Sequence, residues 1–276
     1  MNAAVVATTD PRQVLDQAHD FLVSDPVRHN VMLTILTERA VTGEPGRYWI
    51  GLVDGAVAGV VFQSPLSFLA GASPMPADLV AVMVDAIAAA GVKLPGVNGD
   101  AATAALFAGQ WTERSASAAV PVQGQRLYEV RELSPPADVS GALSQGTAAD
   151  RELLIAWLAG FDADTGLGGP DRDRGEYADR RLAAGQVWFW RDGPAASLSV
   201  LSASVAGVSR VQAVYTPPEL RRRGYAAAGV AELSGRVLAE GRRCILYTDL
   251  GNPTSNSVYR RIGYRAVAEV LRYRFD

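Results

Sequence analysis

A chain of 276 residues, with 49% hydrophobic and 20% charged residues, has the composition of an ordinary folded protein, and its length favours two domains over a single small core. The formal net charge of -3 argues against nucleic-acid binding, because a surface that follows phosphates normally makes a domain basic. Two histidines and the single Cys244 argue against a histidine-rich metal site, an internal disulfide or a CxxC motif, so we expect no bound metal.

The chain start gives no targeting signal. Residues 1–10 lack the basic start and the long apolar run of a signal peptide, and charged residues interrupt the longest apolar stretches. We therefore expect a cytoplasmic protein with no membrane partner.

Apolar spacing in the first half predicts an α/β arrangement. The Asp54-Gly55 dipeptide is typical of a tight hairpin turn, because both positions favour positive φ. The predicted elements are two helices within 10–40 that are broken at Pro26, hairpin strands at 48–53 and 56–62, a helix that starts near Pro76, a strand at 94–98, a helix at 101–112 and a strand at 127–133.

Residues 134–146 are rich in Ser, Pro, Gly and Ala without periodicity, which predicts a linker or the start of a new unit. We therefore expect domains at 1–137 and 138–276. The order of elements in the second predicts an α+β fold with a mixed sheet. Those elements are helices at 148–159 and 175–184, strands at 186–190, 195–203 and 209–215, a helix at 225–239, a strand at 244–249, a short helix that ends near Arg261 and a strand at 266–275.

The most informative segment follows the strand predicted at 209–215. The chain runs through three consecutive arginines and Gly224 into a helix with an apolar face. Free N–H groups at a helix start carry the positive end of the helix dipole, and small residues such as Gly224 and Ala226 let a phosphate approach the backbone. The pattern predicts an anion-binding loop. The alternative is a solvated run of arginines with a turn glycine.

The spacing of Arg221, Gly224 and Ala226 resembles the acyl-CoA motif of the GNAT N-acetyltransferases, in which Gln or Arg is followed by two variable residues, Gly, one variable residue and Gly or Ala. Residues 252–264, NPTSNSVYRRIGY, resemble the second CoA segment of that family, in which an Asn precedes a Tyr by two helical turns. The second half is similar to a bacterial group of predicted GNAT enzymes. The first half shares only the order of elements, so we expect a tandem GNAT-like fold with a degenerate N-terminal domain.

The resemblance implies an N-acetyltransferase that moves an acetyl group from acetyl-CoA directly to a primary amine of a small molecule or peptide. It implies that Tyr259 protonates the departing CoA thiolate as general acid, and that a strand N–H near Val214 polarises the thioester carbonyl. The residues that the resemblance assigns to CoA binding are Val214, Tyr215, Thr216, Arg221, Arg222, Arg223, Gly224, Tyr225, Ala226, Ala227, Asn252 and Ser255.

One departure from the family concerns the general base. Many members place a Glu near the motif strand, whereas residues 211–214 read Val-Gln-Ala-Val. The base stays open between Glu219, Asp249 and an ordered water chain. The missing carboxylate also favours an alternative function, a non-catalytic acyl-CoA-binding or regulatory module.

Two further residues have structural interpretations. The alternative to Tyr259 as general acid is a core tyrosine, and Cys244 is predicted to be a small buried residue.

Overall fold

The structure is a computed structural model that describes residues 2–166 and 173–276. Contacts within the chain divide it into two compact units. Unit 1 consists of Met1–Leu127, Thr248–Asn252 and Ala266–Asp276, and unit 2 consists of Tyr128–Tyr247 and Pro253–Arg265. The domain limits of 1–137 and 138–276 stay a prediction.

The described residues form helices and strands in the following order. Up to residue 130 they are β1 (Ala3–Thr8), α1 (Pro11–Gln17), α2 (His19–Ser24), α3 (Asn30–Thr42), β2 (Arg47–Val53), β3 (Ala56–Gln63), β4 (Ala70–Ala72), α4 (Ala77–Ala89), β5 (Gly96–Asp100), α5 (Ala101–Ser115) and β6 (Ala119–Val130). The later ones are β7 (Ala142–Gln145), α6 (Arg151–Thr165), α7 (Arg174–Ala183), β8 (Val187–Arg191), β9 (Ala195–Leu201), β10 (Val208–Tyr215), α8 (Tyr225–Ala239), β11 (Arg243–Asp249), α9 (Pro253–Arg261) and β12 (Tyr264–Phe275).

Unit 1 contains the strand order β1-β2-β3-β4-β5-β12. Only β4 and β5 run parallel, and the other neighbours are antiparallel. Apolar residues of α4 and α5 pack on this sheet, and Met83 and Phe107 are fully buried there together with Trp49 and Trp111. Burial of these aromatic and aliphatic side chains supplies the main stabilisation of the unit.

Unit 2 contains the strand order β11-β10-β9-β8-β7, in which only β10 and β11 run parallel. One face of this sheet packs against α8 and α9, through Val211, Val230 and Tyr259 among others. The other face packs against α6 and α7, through Leu158 and Phe189 among others. The sheet therefore lies between two helical layers, which is the arrangement that β-strands buried on both faces require.

Most predicted elements are confirmed, and α8 has the predicted bounds. Asp54 and Gly55 both have positive φ, of 49° and 85°, as the predicted hairpin turn requires. The prediction of two helices within 10–40 was wrong, because the chain bends at Ala18 and forms three. The edge strands β1 and β7 and the three-residue strand β4 were missed, and β7 lies inside the Ser-rich, Gly-rich segment 134–146. No helix in the described ranges combines the length and apolarity needed to cross a membrane.

We expect Phe107→Ala to lower the free energy of unfolding of unit 1 by about 3–5 kcal/mol, because the fully buried ring leaves a cavity between α5 and its neighbours. Phe68→Ala is the matched control, since its ring is 58% exposed in the same unit, and its effect should stay within about 0.5 kcal/mol. Urea unfolding followed by circular dichroism measures both. Equal effects of the two substitutions would contradict the packing described for α5.

Candidate functional site

The C-terminal half of β10 separates from its parallel neighbour. β10 pairs with β11 only from Val208 to Val211. The register with β9 then shifts between Gln212 and Tyr215, and Ala213 has a φ of 47°. This bulge inserts an extra residue, so that Val211 and Val214, three residues apart, both lie on the α8 face. Within the described residues, β10 has no strand partner beyond Val211 on the edge towards β11, which leaves that edge available to a ligand.

Side-chain hydroxyls fix the end of β10. The hydroxyl of Ser197 on β9 donates to the carbonyl of Tyr215 at 3.1 Å, and the Thr216 hydroxyl donates to Ser197 at 2.9 Å. The Tyr215 ring lies on α6 so closely that a Cβ at Gly160 would come within 2.4 Å of its hydroxyl. The predicted residues Tyr215 and Thr216 are therefore held by β9 and α6 rather than left as a loose strand end.

The loop before α8 presents a run of backbone N–H groups. Arg222 and Gly224 have φ values of 66° and 85°, and Gly224 is the N-cap of α8 without a side-chain cap. The first helical bond in this region joins the Ala228 amide to the Gly224 carbonyl at 3.0 Å. No acceptor among residues 2–166 and 173–276 meets the amides from Arg222 to Ala227. Consecutive free amides at a helix start form an anion-binding concavity.

The side chain of Arg221 stabilises the loop. Its Nε donates to the Thr216 carbonyl at 2.9 Å, and the guanidinium lies 5.9 Å above the Tyr215 ring. Its Nη2 pairs with Asp164 at the end of α6. The adjoining Arg222 and Arg223 are exposed. The positive charge available at the loop thus comes mainly from these two residues, while Arg221 ties β10 to α6.

The start of α8 is fixed by a second contact. The Tyr225 hydroxyl donates to Asp192 at 2.7 Å in the turn between β8 and β9, and Ser140 donates to the same carboxylate oxygen at 2.7 Å. These hydrogen bonds, with that of Tyr225 the larger effect, lower the pKa of Asp192. Asp192, Ser140, Ser197 and Asp164 were missed by sequence reasoning, because they belong to no local motif and become relevant only through contacts with distant segments.

The second predicted segment is divided between the two units. Asn252 precedes α9 and clusters with unit 1, whereas Ser255 and Tyr259 lie on α9 in unit 2. Within unit 2, one apolar core contains both predicted segments: Tyr225 and Tyr259 are buried in it, and Val214 and Ala227 pack against it. The structure therefore brings the strand end, the loop helix and α9 to one side of the sheet.

Tyr259 is buried and packs edge-on against Tyr264 at 6.0 Å. Its hydroxyl makes no hydrogen bond to any described residue, and burial alone raises its pKa to about 12. The phenol is therefore protonated throughout the physiological pH range. The predicted alternative of a core tyrosine that donates to a backbone carbonyl lacks that carbonyl within the described residues.

Cys244 is fully buried, as predicted. Its thiol lies 3.4 Å from the Tyr264 hydroxyl and 3.6 Å from the Ser234 hydroxyl, and burial raises its pKa. A thiol with a raised pKa holds little thiolate, so Cys244 is a packing residue rather than a nucleophile.

The two carboxylates considered as general base lie in different surroundings. Glu219 is exposed in a short helical turn before the loop, and its carbonyl accepts from Arg223. Asp249 accepts from the Gly251 amide at 2.7 Å and from Gln123 at 3.0 Å. The hydrogen bond to Gly251 confirms the turn-forming role that the sequence predicted for Asp249.

Comparisons with known proteins agree with this architecture. Residues 204–273 match a family model described as FR47-like protein, and no curated protein sequence matches the chain. An acetyltransferase from the GNAT family from Colwellia psychrerythraea is 9% identical with a TM-score of 0.63, over 100% of both chains. A GCN5-related N-acetyltransferase from Sphaerobacter thermophilus is 16% identical with a TM-score of 0.61, over 98% of this chain and 95% of that one.

A further solved structure is described as a tandem GNAT protein from the clavulanic acid biosynthesis pathway. It is 10% identical with a TM-score of 0.55, and the similarity covers 99% of this chain and 98% of that one. Identities this low show a common fold. The chain has the fold of the GNAT acetyltransferases, and the predicted tandem GNAT-like fold is confirmed.

The raised pKa of Tyr259 predicts a pH-dependent stability. Because burial favours the neutral phenol, the pKa is higher in the folded chain, at about 12, than in the unfolded chain. The neutral phenol of Tyr259 gives the folded state its full stabilisation below pH 10, and this stabilisation is lost as the pH rises towards 12. Between pH 9.5 and 12 the free energy of unfolding should therefore fall less in Tyr259→Phe than in wild type, by about 2 kcal/mol. Urea unfolding measures the difference, and parallel pH profiles would disprove the assignment.

Proposed function

We propose that this chain is an N-acetyltransferase that moves an acetyl group from acetyl-CoA to a primary amine of a small-molecule or peptide acceptor. The observation that carries the proposal is the run of amides from Arg222 to Ala227, which meet no acceptor within the described residues and stand at the start of α8. In a chain with the GNAT fold, an anion site at this position fits the pyrophosphate of CoA.

The loop fits a diphosphate in its charge and in its fixed backbone geometry. The α8 N-terminus contributes the positive end of the helix dipole, and the exposed Arg222 and Arg223 add full charges. Gly224 suits the loop, since its φ of 85° is unfavourable for other residues and a Cβ there would crowd Val139 at 3.0 Å. Tyr225 and Arg221 fix the loop through their contacts with Asp192 and Asp164, so that little ordering entropy is lost on binding.

The open edge of β10 fits the extended pantetheine arm. Backbone groups of Val214, Tyr215 and Thr216 would pair with its amides in the manner of an added strand. We assign Asn252 and Ser255, on either side of the α9 start, as further contacts to the arm, in line with the family resemblance. The bulge at Ala213 makes the N–H of Val214 a candidate donor to the acyl carbonyl oxygen as negative charge develops there.

The reaction would be direct transfer without a covalent enzyme intermediate. Acetyl-CoA supplies a thioester, whose C–S bond breaks as the neutral amine nitrogen forms the new C–N bond. The Tyr259 hydroxyl, protonated at neutral pH, donates its proton to the leaving sulfur. Because Glu219 is exposed and Asp249 is bonded to Gly251 and Gln123, we infer that the amine gives its proton to ordered water.

The alternative is a module that binds acyl-CoA without turnover, and the absence of a carboxylate from residues 211–214 favours it. Two measurements separate these functions. Calorimetry with CoA reports binding, and release of free thiol from acetyl-CoA with a broad panel of amines reports transfer. Binding without thiol release supports the module, whereas absence of CoA binding defeats both.

Gly224→Val should abolish CoA binding, because the side chain crowds Val139 and strains the backbone at positive φ, which displaces the free amides. Gly241→Val is a matched control. Gly241 follows the other end of α8 with a φ of 72° and has open space around it, so the strain is similar but the loop is untouched. Calorimetry should show near wild-type CoA affinity for the control alone. Equal affinities of the two variants would reject the loop as the phosphate site.

Tyr259→Phe should lower kcat by about 100-fold while the Kd for CoA stays within about twofold, since the phenol acts on the leaving group and not on the phosphates. Steady-state thiol release and calorimetry measure the two quantities. Tyr128→Phe is a useful control, because Tyr128 is also buried in this core and its hydroxyl donates to Asn256 at 2.9 Å. An unchanged kcat in Tyr259→Phe would remove Tyr259 from the mechanism.

A further inference from the structure

Strand β1 is an open edge of the unit 1 sheet. Among the described residues it pairs with β2 alone, and no bulge interrupts that pairing. Its sequence, AAVVAT, contains no charged residue and no proline, and each of its side chains is at least partly exposed. Proteins usually protect an edge strand with charges, prolines or bulges, because its unpaired backbone groups can bind another strand. The strand itself carries none of these three protections.

Alternate residues of β1 direct their backbone groups away from β2. The Asp54 amide donates to the Asn2 carbonyl at 2.8 Å, so these two residues form a hydrogen-bonded pair. Antiparallel strands alternate such pairs with pairs whose backbone groups point outwards, so the outward groups are those of Ala3, Val5 and Ala7. No residue in 2–166 or 173–276 forms a hydrogen bond with these outward groups.

The end strand of unit 2 is protected where β1 is not. Strand β7 has four residues, and the carbonyl of Leu143 on its outer side accepts a hydrogen bond from Nη2 of Arg236 at 3.3 Å. The Gln145 side chain of the same strand donates to the Gly185 carbonyl at 2.9 Å. Long polar side chains therefore occupy the surroundings of β7, whereas β1 keeps its row of outward donors and acceptors.

Helix α4 lies over the open edge. It contacts both β1 and β2. Gly51 of β2 lies opposite Val5, and a Cβ at Gly51 would come within 2.8 Å of Leu79 and 3.0 Å of Met83. The first turns of α4 therefore cross the sheet next to Val5.

One flank of α4 faces outwards beyond β1. Val84 and Ala88 belong to the core that α4 shares with α5. At about 100° per residue, Val82 and Ala86 fall on the opposite flank, and both are partly exposed. Since α5 covers β5 and α4 covers β1, that opposite flank points past the edge of the sheet. Asp85, which lies between Val82 and Ala86 in sequence, is paired with an arginine of α5.

We propose that two copies of this chain pair through β1, antiparallel and centred on Val5, to form a symmetric dimer. This pairing sets Ala3 opposite Ala7 of the partner subunit, so that each outward donor of one copy meets an acceptor of the other. The same two-fold axis brings the α4 helices side by side. Because each helix lies over β1 and β2 and strands are spaced about 4.8 Å apart, the helix axes come to about 10 Å, a normal packing distance.

The chemistry of this surface favours a second copy as the partner. The side chains of β1, and Val82 and Ala86 on the outward flank of α4, are uncharged, so they offer no charge to select a charged peptide. The outward groups are arranged symmetrically about Val5, and a two-fold interface makes every contact twice. The inference is independent of the proposed acetyl transfer, because it involves residues of unit 1 alone.

Sedimentation velocity of the full chain over a range of concentrations measures the association. We expect a dimer at micromolar concentrations. Val82→Glu should raise the dissociation constant by about tenfold or more, because like charges then meet near the two-fold axis. Leu106→Glu is the matched control. It places the same charge at an exposed position of α5 in the same unit, so the dissociation constant should stay within about twofold.

Ala7→Pro tests the backbone pairing. Proline removes the N–H that points outwards, and an edge strand tolerates proline at such a position. The dissociation constant should rise by about tenfold or more, because each copy loses a donor and a carbonyl of the partner loses its hydrogen bond. Ala7→Ser keeps the N–H and should associate like wild type. Circular dichroism and thermal melting verify that each variant is folded.

Hydrogen exchange of the wild type tests the same pairing without a substitution. The amides of Ala3, Val5 and Ala7 should exchange more slowly above the dissociation constant than below it, because only the dimer engages them. A chain that stays a monomer up to about 100 µM overturns the inference. A dimer in which these amides exchange alike at both concentrations, or in which Val82→Glu and Ala7→Pro associate like their controls, also overturns it, since the copies then meet elsewhere.

Discussion

Strand β10 pairs with β11 only as far as Val211, and beyond this point its edge keeps backbone donors and acceptors that no neighbouring strand takes up. The bulge at Ala213 re-aims the residues that follow, so that Val214 faces the α8 core and Tyr215 faces α6. A sheet interior normally satisfies both edges of each strand. The interruption therefore creates the surface on which the proposed binding of the cofactor arm and the acyl group depends.

The loop after β10 depends on the same geometry. Arg221 donates to the carbonyl of Thr216 and pairs with Asp164, so the strand end, the loop and α6 form one connected group. Tyr225 ties the first turn of α8 to Asp192 between β8 and β9. Side chains thus hold the loop, while its amides stay available. An anion site built from backbone groups needs this support, because the amides attract an anion well only when they point at a common centre.

Arginines of unit 2 lie in different surroundings. Arg221 fixes the loop, and Arg222 and Arg223 carry exposed charge beside the amides. The chain is acidic overall although the loop before α8 carries positive charge, because net charge sums over the whole surface whereas binding responds to the nearest groups.

The order of elements in the second half followed from the sequence with little error, because apolar periodicity and turn residues act over a few positions along the chain. Helix α8, the Asp54-Gly55 turn and the position of Gly224 before a helix belong to this class. The shortest strands did not follow from the sequence. Strands β4 and β7 have few residues and no alternation, and they become strands only through pairing, β4 with β3 and β5 and β7 with β8.

The candidate site likewise contains some features that follow from the sequence and others that do not. The sequence by itself determined the loop from Arg221 to Ala227 and the helix that carries Tyr259, since each is a contiguous motif with local spacing. Only the tertiary structure decided that β10 stops pairing with β11 at Val211 and that Asp164 and Asp192 hold the loop. The physical reason is that these features depend on strand pairing and burial between residues distant in sequence, which local patterns do not encode.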